Sequence, residues 1–347
     1  MKMKKLLVIR NDKIGDFMLC FPAFAMLKQS MPNLEITALV PSYTAPLAEL
    51  CPFIDKVIVD TADKNSRAEQ QRILQAVRSA QFDATICFVS DWYNAKLTWR
   101  SSIAYRLAPA TKLFQLLYNH RLTQRRSRSE KAESAYNLDL ARRFLRDHNQ
   151  PVIEPDTPFL SFSPTTVAAQ KAKLVAQLGL DQDQKWLFVH VGTGGSATNL
   201  SLHQYAKLIQ GILAQFDCQV ILTAGPNESE KALALQQLIA HPSVAVYDKN
   251  DGLTDFCHSL ACADLFIAGS TGPLHICGAL NIATIGFYPS RRSALPRRWR
   301  PINDADKHIA FMPPLGKKTE KNLTLIAISE ALTEILPFIQ HCWQTKA

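Results

Sequence analysis

The sequence contains no run of about 18 apolar residues, so it offers no membrane-spanning helix. The apolar stretch near its amino terminus has the length of a strand and is interrupted by Asn11-Asp12-Lys13, unlike the hydrophobic region of a secretory signal peptide. Disorder is excluded by composition, since 47% of the 347 residues are hydrophobic and 20% are charged. We therefore expect a globular, cytoplasmic protein with two domains.

Several motifs that mark common enzyme classes are also missing. There is no C-x-x-C pair, no His/Cys spacing typical of a zinc site and no G-x-S-x-G nucleophile elbow. Neither G-x-G-x-x-G nor G-x-x-x-x-G-K-[ST] occurs, which argues against a classical dinucleotide site and a P-loop. The eight cysteines lie mostly in apolar runs, and we predict that they are reduced core residues.

Positive charge is in excess, with 39 Lys+Arg against 30 Asp+Glu and a net charge of +9. The basic residues cluster in 2–5, 121–128 and 291–300. Such clusters favour phosphates, acidic glycolipids or nucleic acid, although the first two clusters are also compatible with solvated faces. No nucleic-acid recognition motif accompanies them, so we do not expect a nucleic-acid partner.

Short apolar runs alternate with amphipathic stretches along the chain, which predicts α/β units with parallel sheets. In the first half we expect strands at 5–10, 35–40, 56–59 and 84–89, helices near 17–29, 45–50, 66–80 and 129–147, and an aromatic, less regular region at 92–120. In the second half we expect strands at 186–190, 219–224, 244–247, 264–268 and 283–287, with helices at 166–178 and 324–341 among others. The proline-rich segment 151–165 predicts a linker between domains 1–150 and 166–325, with a carboxyl-terminal helix in 326–347.

The first candidate site follows the first predicted strand, in Arg10-Asn11-Asp12-Lys13-Ile14-Gly15-Asp16. Asp16 is expected where the carboxyl end of a strand meets the start of a helix, the place where open α/β sheets bind ligands. An Asp at a helix start can also act only as a cap, and the spacing alone leaves both interpretations open.

The second half has three polar, glycine-bearing loops at predicted strand ends. In the loop 190–199, small residues would let backbone N–H groups approach an anion, although an ordinary flexible loop is the alternative. Glu228 could accept bonds from ribose hydroxyls or simply favour a helix dipole. The loop 269–275 combines hydroxyls, glycines and a helix start suited to a pyrophosphate, and its His275 either reaches a phosphate or lies in the core. Together the loops suggest a nucleotide or nucleotide-sugar site.

A basic loop at 288–301 follows the last predicted strand of this half. Its Arg291 and Arg292 would present forked donors to anionic ligand groups, unless the loop is only a solvated basic surface.

These motifs combined resemble glycosyltransferase family nine, the heptosyltransferases of lipopolysaccharide core assembly. The resemblance rests on Ile9 to Asp16 with its continuation to Pro22, on His190 to Ser196, and on Gly269 to His275, and it runs from Lys5 to about Pro301. It implies a GT-B fold, in which two Rossmann-like domains with parallel sheets face each other across a cleft and hold the acceptor and the nucleotide sugar. It also implies an inverting transfer without an essential metal or other cofactor, most often of heptose from ADP-heptose to an anionic, lipid-linked inner-core saccharide.

The resemblance assigns roles to residues of this chain. Asp16 matches the catalytic aspartate and would act as general base. The acceptor-binding set is Arg10, Lys13, Gly15, Arg291 and Arg292. The donor-binding set is Thr193, Gly194, Gly195, Ser196, Asn199, Glu228, Ser270, Thr271, Gly272 and His275. No metal ligand is assigned. We expect the enzyme to act at the inner face of the cytoplasmic membrane, with its basic clusters attracting the acceptor and anionic headgroups.

Two positions depart from the family pattern. Many members have Asp-Thr-Gly where this chain has Ser270-Thr271-Gly272, and many have a lysine on the diphosphate near the place of Asn199. Arg291, Arg292 or Lys13 would then have to neutralise the leaving group. The alternatives are a family member with another donor sugar or base, a nucleotide-sugar epimerase or hydrolase, a member that has lost catalysis, and a basic nucleic-acid-binding protein.

Overall fold

The computed structural model describes residues 3–60, 66–194, 198–225 and 227–344. It divides into two compact units, one made of Met1–Arg126 and Glu130–Phe159 and the other of Ser127–Ser129 and Leu160–Ala347. The division falls inside the proline-rich segment 151–165.

The first unit is a parallel sheet flanked by helices. Its strands are β1 (Lys5–Ile9), β2 (Glu35–Pro41), β3 (Lys56–Asp60), β4 (Ala84–Cys87), β5 (Tyr105–Pro109) and β6 (His120–Leu122), and its helices are α1 (Ile14–Met18), α2 (Phe21–Ser30), α3 (Ala45–Leu50), α4 (Arg67–Ala80), α5 (Trp92–Arg100) and α6 (Glu133–Asp147). The strand order is β3-β2-β1-β4-β5-β6. Sequence order reverses between β1 and β4, so the loops after these two strands flank the switch point where such sheets bind ligands.

The second unit repeats this design. Its strands are β7 (Lys185–His190), β8 (Cys218–Thr223), β9 (Val244–Tyr247), β10 (Leu265–Gly269), β11 (Ala283–Phe287) and β12 (His308–Phe311), and its helices are α7 (Pro164–Leu178), α8 (Leu202–Leu213), α9 (Ser229–Ile239), α10 (Leu253–Leu260), α11 (Gly272–Ala279), α12 (Pro296–Trp299) and α13 (Ile328–Gln344). The order β12-β11-β10-β7-β8-β9 places its switch point between β7 and β10. The predicted α/β class with parallel sheets is confirmed.

Each unit has a core built from the apolar faces of its own strands. The central strands β1, β7 and β10 are almost entirely buried, as expected for strands covered on both faces. α8 begins with a capping box, in which Ser201 and Gln204 satisfy each other's backbone N–H groups. All eight cysteines are buried and reduced, as predicted. No helix within the described ranges is long and apolar enough to cross a membrane.

The prediction of one helix over 17–29 was wrong. The structure has α1 and α2 there, and Pro22 lies in the first turn of α2. Because proline lacks an N–H and its ring collides with the carbonyl four residues earlier, Pro22 favours a helix that begins here over one that continues from α1.

Other elements also differ from the predictions, and the helix expected over 129–147 begins at Glu133. The region expected to be less regular contains α5, β5 and β6. The edge strand β12 was not predicted, and it is only four residues long and only partly buried. The carboxyl-terminal helix begins at Ile328 rather than at 324, because the turn Leu323–Leu325 precedes it and is capped by Asn322.

Candidate active site

Asp16 lies in the first turn of α1, just beyond the carboxyl end of β1, where the sequence predicted it. The residue at the helix cap is Lys13, and no side chain caps this helix by a hydrogen bond. The interpretation of Asp16 as the helix cap is therefore wrong. Its carboxylate is 17% exposed, which leaves it accessible at the switch point of the first sheet.

Arg10 is the main partner of Asp16. Its Nη2 donates to Oδ1 of Asp16, its Nε lies 2.8 Å from Oδ1 of Asp12, and its Nη1 lies 3.3 Å from Oε1 of Glu133. The Arg10 side chain is 3% exposed, and its three carboxylate partners all belong to the first unit. This geometry makes Arg10 a residue that positions Asp16, while its predicted contact with the acceptor stays a prediction.

Burial raises the pKa of Asp16 to about 6. The guanidinium of Arg10 opposes this rise, whereas the negative charges of Asp12 and Glu133 add to it. A carboxylate with such a pKa is ionised at neutral pH and is also a stronger base than an ordinary aspartate, which suits a general base.

Glu133 is a second buried carboxylate in this cluster, and sequence reasoning missed it. It lies at the start of α6, it is 2% exposed, and its Oε1 is 2.5 Å from Nη1 of Arg126. One turn further on, Asn137 donates to the carbonyl of Leu19 at the end of α1 over 3.0 Å. The signal that could have revealed both residues is a pair of polar side chains, four positions apart, on the face of α6 that packs into the core.

The other residues of the first loop are divided between solvent and core. Lys13 is exposed and Gly15 is half-buried beside Asp16. The amide of Asn11 is buried and exchanges hydrogen bonds of 2.8 and 3.0 Å with the amide of Asn94 on α5. This amide pair joins the loop after β1 to the first turn of α5.

Glu228 organises the loop that follows β7 in the second unit. It stands directly before α9, and its carboxylate accepts from the backbone N–H of Thr193 over 3.1 Å and of Gly194 over 3.4 Å. A Cβ on Gly192 would lie 2.0 Å from its Oε2, so only glycine allows this approach. Burial alone would raise the pKa of Glu228, but these N–H groups and Lys231 hold the pKa below its usual value. The two N–H groups predicted to approach an anion are thus paired with a carboxylate of the protein.

Asn199 contacts both loops at this switch point. Its amide donates to the carbonyl of Val191 over 3.0 Å, and its Oδ1 accepts from the buried hydroxyl of Tyr205 over 2.6 Å. A Cβ on Gly269 would lie 2.8 Å from Oδ1. The side chain therefore connects the loop after β7 to the end of β10. Gly195 and Ser196, which were predicted to bind the donor, lie outside the described residues.

The start of α11 carries polar side-chain atoms that have no hydrogen-bond partner in the described part of the chain. These atoms are Oγ1 of Thr271 and Nδ1 of His275, both buried. Burial lowers the pKa of His275 to about 4, so its imidazole is neutral. Buried polar groups are almost always paired, and an unpaired set at a helix amino terminus has the donors that a phosphate would use. Ser270 and Gly272 flank Thr271 and are half-buried.

Arg291 and Arg292 are exposed in the segment that follows β11, on the same edge of the second sheet as α11. Within the ranges that the structure describes, no group of three or more His, Cys, Asp or Glu residues could hold a metal ion. The prediction that transfer needs no metal is not tested by this observation.

The model of glycosyltransferase family 9 (heptosyltransferase) matches residues 70–325 of the chain. The chain belongs to glycosyltransferase family 9. A Haemophilus influenzae protein, named provisionally as a glycosyltransferase, is 63% identical to this glycosyltransferase over 344 residues, which cover 99% of each chain. The resemblance found in the sequence is confirmed.

Solved structures agree with this assignment. The Escherichia coli ADP-heptose lipopolysaccharide heptosyltransferase II is 17% identical and has a TM-score of 0.76, over 99% of this chain and 100% of that one. The E. coli heptosyltransferase WaaC with ADP is 18% identical and has a TM-score of 0.72, over 96% of this chain and 99% of that one. These likenesses show the fold, and they confirm that the glycosyltransferase has the predicted GT-B class.

Proposed function

We propose that this glycosyltransferase moves a heptose from ADP-heptose to an anionic, lipid-linked saccharide of the lipopolysaccharide inner core, with inversion at the anomeric carbon. The family and the names of the two E. coli heptosyltransferases support this choice of substrates. The observation that carries the proposal is the accessible carboxylate of Asp16, held by Arg10 and with its pKa raised to about 6 by burial.

In this proposal Asp16 is the general base. Because Oδ1 accepts from Arg10, Oδ2 is the oxygen that takes the proton from the acceptor hydroxyl. The hydroxyl oxygen forms the new bond to the anomeric carbon, and the bond from that carbon to the diphosphate oxygen breaks. The electron pair of the broken bond leaves with ADP, and a single displacement inverts the configuration.

The start of α11 is the proposed site of the diphosphate. Thr271 and His275 supply the unpaired polar atoms, and the helix dipole stabilises the negative charge that develops on the leaving group. Asn199 cannot replace a lysine here, because its amide is neutral and already bonded to Val191 and Tyr205. We assign that neutralising role to Arg291, Arg292 or Lys13, which are exposed.

The loop after β7 is proposed to bind the nucleoside. The Glu228 carboxylate would accept hydrogen bonds from ribose hydroxyls, while the bonds it accepts from the backbone N–H groups of Thr193 and Gly194 hold the loop in place. A family member that uses another base or sugar is the second candidate, and it is favoured by the two departures at Asn199 and Ser270. In both cases the acceptor is lipid-linked, so we propose that the enzyme works at the inner face of the cytoplasmic membrane.

Ligand-dependent thermal unfolding tests the donor. A ligand that binds only the folded chain must raise its melting temperature, so the full chain is screened with ADP, UDP, GDP, CMP and their sugar conjugates. We expect the melting temperature to rise selectively with ADP and ADP-heptose. A separate assay should then detect transfer of heptose to an inner-core acceptor. A selective rise with another nucleotide would replace the donor, and no rise with any nucleotide would overturn the proposed function.

A further inference from the structure

Four large apolar side chains are exposed next to each other on the first unit. Trp92 and Trp99 of α5 are 60% and 55% exposed, and Leu113 and Leu116 of the turn Leu113–Leu117 are 75% and 71% exposed. The ring of Trp92 lies 6.0 Å from that of Phe114, which joins the helix to the turn. We call Trp92, Trp99, Leu113 and Leu116 the α5 patch.

The two tryptophans of α5 lie on its exposed side. Its inner face buries Asn94, Ala95, Leu97 and Thr98, whereas Trp92, Lys96 and Trp99 follow the spacing of one helical stripe on the exposed side. Both tryptophan rings are therefore left outside the core of the unit. The area of such exposed apolar rings next to two exposed leucines is what marks an interaction surface.

The segment of the first unit that carries the α5 patch is basic. Residues 92–126 contain no Asp or Glu, and they contain seven Lys and Arg: Lys96, Arg100, Arg106, Lys112, Arg121, Arg125 and Arg126. Lys96, Arg100 and Lys112 are exposed on α5 and directly before the turn. A partner that complements this surface would have an anionic outer layer to pair with the cations and an apolar layer beneath it to receive the exposed rings and leucines.

The α5 patch is tied to the proposed base. The side chain of Asp91 caps α5 by accepting from the N–H of Asn94 over 2.7 Å, and Asn94 exchanges amide hydrogen bonds with Asn11. Asn11 follows Arg10, the partner of Asp16. The first turn of α5, which carries Trp92, is thus hydrogen-bonded to the loop that carries the proposed base.

We propose that the α5 patch docks this enzyme on a bilayer of anionic phospholipids. Tryptophan favours the headgroup region, leucine gains free energy in the acyl boundary, and lysine and arginine attract the phosphates. This inference rests on the proposed function only in giving the lipid-linked acceptor a route to Asp16. Nucleic acid could stack on Trp92 and Trp99 but would leave Leu113 and Leu116 without a partner, whereas a bilayer accounts for all four side chains.

Vesicle co-sedimentation of the full chain tests this surface without any transfer reaction. The vesicles contain phosphatidylethanolamine and phosphatidylglycerol, and vesicles of phosphatidylcholine serve as the uncharged comparison. The variant L113S/L116S is matched by L233S/L238S, which replaces two leucines of α9 that are 45% and 40% exposed. Because all four leucines are exposed, both variants should keep the wild-type melting temperature.

We expect wild type and L233S/L238S to bind the anionic vesicles and L113S/L116S to bind about tenfold more weakly. Binding should also fall with added salt, because the cations contribute. In transfer assays L113S/L116S should lose activity with acceptor embedded in vesicles and keep it with acceptor in water. If the wild-type protein transferred no sugar, the proposed function would be overturned, but the vesicle-binding result would still test the docking surface.

Three results would overturn the docking surface. One is wild-type protein that does not bind anionic vesicles, and another is equal binding by L113S/L116S and wild type. The third is binding of duplex or single-stranded DNA that L113S/L116S weakens while vesicle binding is absent, which would assign the patch to nucleic acid.

Discussion

Arg10 donates from Nη2 to Oδ1 of Asp16, although the arginine is 3% exposed and holds two other carboxylates as well. A buried guanidinium with this many partners keeps its orientation before any substrate arrives, and it fixes Asp16 in turn. Burial raises the pKa of Asp16, and the arginine limits that rise. The pair thus produces a base that is both ionised at neutral pH and held in place.

The substitution Asp16→Asn should abolish the proton transfer while leaving the fold. An amide has no basic oxygen comparable to a carboxylate, so we expect kcat to fall by about 10² to 10⁴-fold. The melting-temperature rise caused by ADP should remain, because the proposed nucleotide loops belong to the second unit. Initial transfer rates and thermal unfolding with ADP measure the two effects separately.

A matched control is Asp139→Asn, which removes a surface carboxylate of α6 that pairs with Lys131 and Arg142. It should transfer at the wild-type rate. Asp16→Asn at the wild-type rate would show that another group is the base, and loss of the ADP effect would show that Asp16 acts on the donor.

The raised pKa of Asp16 predicts the acid limb of the pH profile. The rate should fall as the pH drops through about 6, since the protonated carboxyl cannot act as a base. The free energy of unfolding should change with pH in the opposite direction to the rate. The folded chain binds the proton of Asp16 more tightly than the unfolded chain, whose carboxyl titrates near 3.8, so the free energy of unfolding falls as pH rises from 3.8 to about 6.

Chemical denaturation of wild type and Asp16→Asn across this range isolates the contribution of Asp16. The difference in unfolding free energy between the two should change within that window and be constant above it. A difference that is independent of pH would mean that burial does not shift this carboxyl.

Glu133 is predicted to affect both catalysis and stability. Its negative charge raises the pKa of Asp16, so Glu133→Gln should move the acid limb of the rate profile to lower pH. It should also lower the free energy of unfolding by about 3 kcal/mol, because Arg10 and Arg126 lose a buried partner. Profiles of kcat/KM against pH and denaturant melts test the two parts.

The control is Glu154→Gln. Glu154 forms an ion pair with Arg142 but is 58% exposed, so its loss should cost at most about 1 kcal/mol. If Glu133→Gln shifted stability and left the acid limb in place, Glu133 would be structural only.

The sequence predicted well what depends on local pattern. Apolar runs such as 186–190 and 283–287 have the length of buried strands, and Ser201 and Gln204 are close enough along the chain to specify their own cap. Because parallel strands share one carboxyl edge, strand ends alone were enough to predict that Asp16 and Thr271 lie at the carboxyl edges of their sheets.

Contacts between distant segments were not predictable in this way. Arg10 and Glu133 are 123 positions apart, and Thr193 and Glu228 are 35 apart. Nothing in their neighbours' hydropathy indicates either contact.

The missed strands have other causes. β6 and β12 are short and partly exposed, so their apolar pattern is too weak to be distinguished from a loop. β5 is mostly buried, but Arg106 and Pro109 interrupt its apolar run.

The unpaired hydroxyl of Thr271 separates donor binding from folding. Its Oγ1 is buried and has no partner among the described residues, so Thr271→Val exchanges it for a methyl group of similar size. Without ligand, the free energy of unfolding should stay equal or rise by up to about 1 kcal/mol, because no hydrogen bond is lost. With ADP, the melting-temperature rise should shrink, since the hydroxyl can no longer donate to the diphosphate.

Thr44→Val is the control for this prediction. The Oγ1 atom of Thr44 is also buried and has no partner among the described residues, but it lies in the first unit, so the response of Thr44→Val to ADP should match wild type. Equal ADP responses of Thr271→Val and wild type would remove Thr271 from the donor site, whereas a loss of stability without ligand would show that its hydroxyl serves the fold.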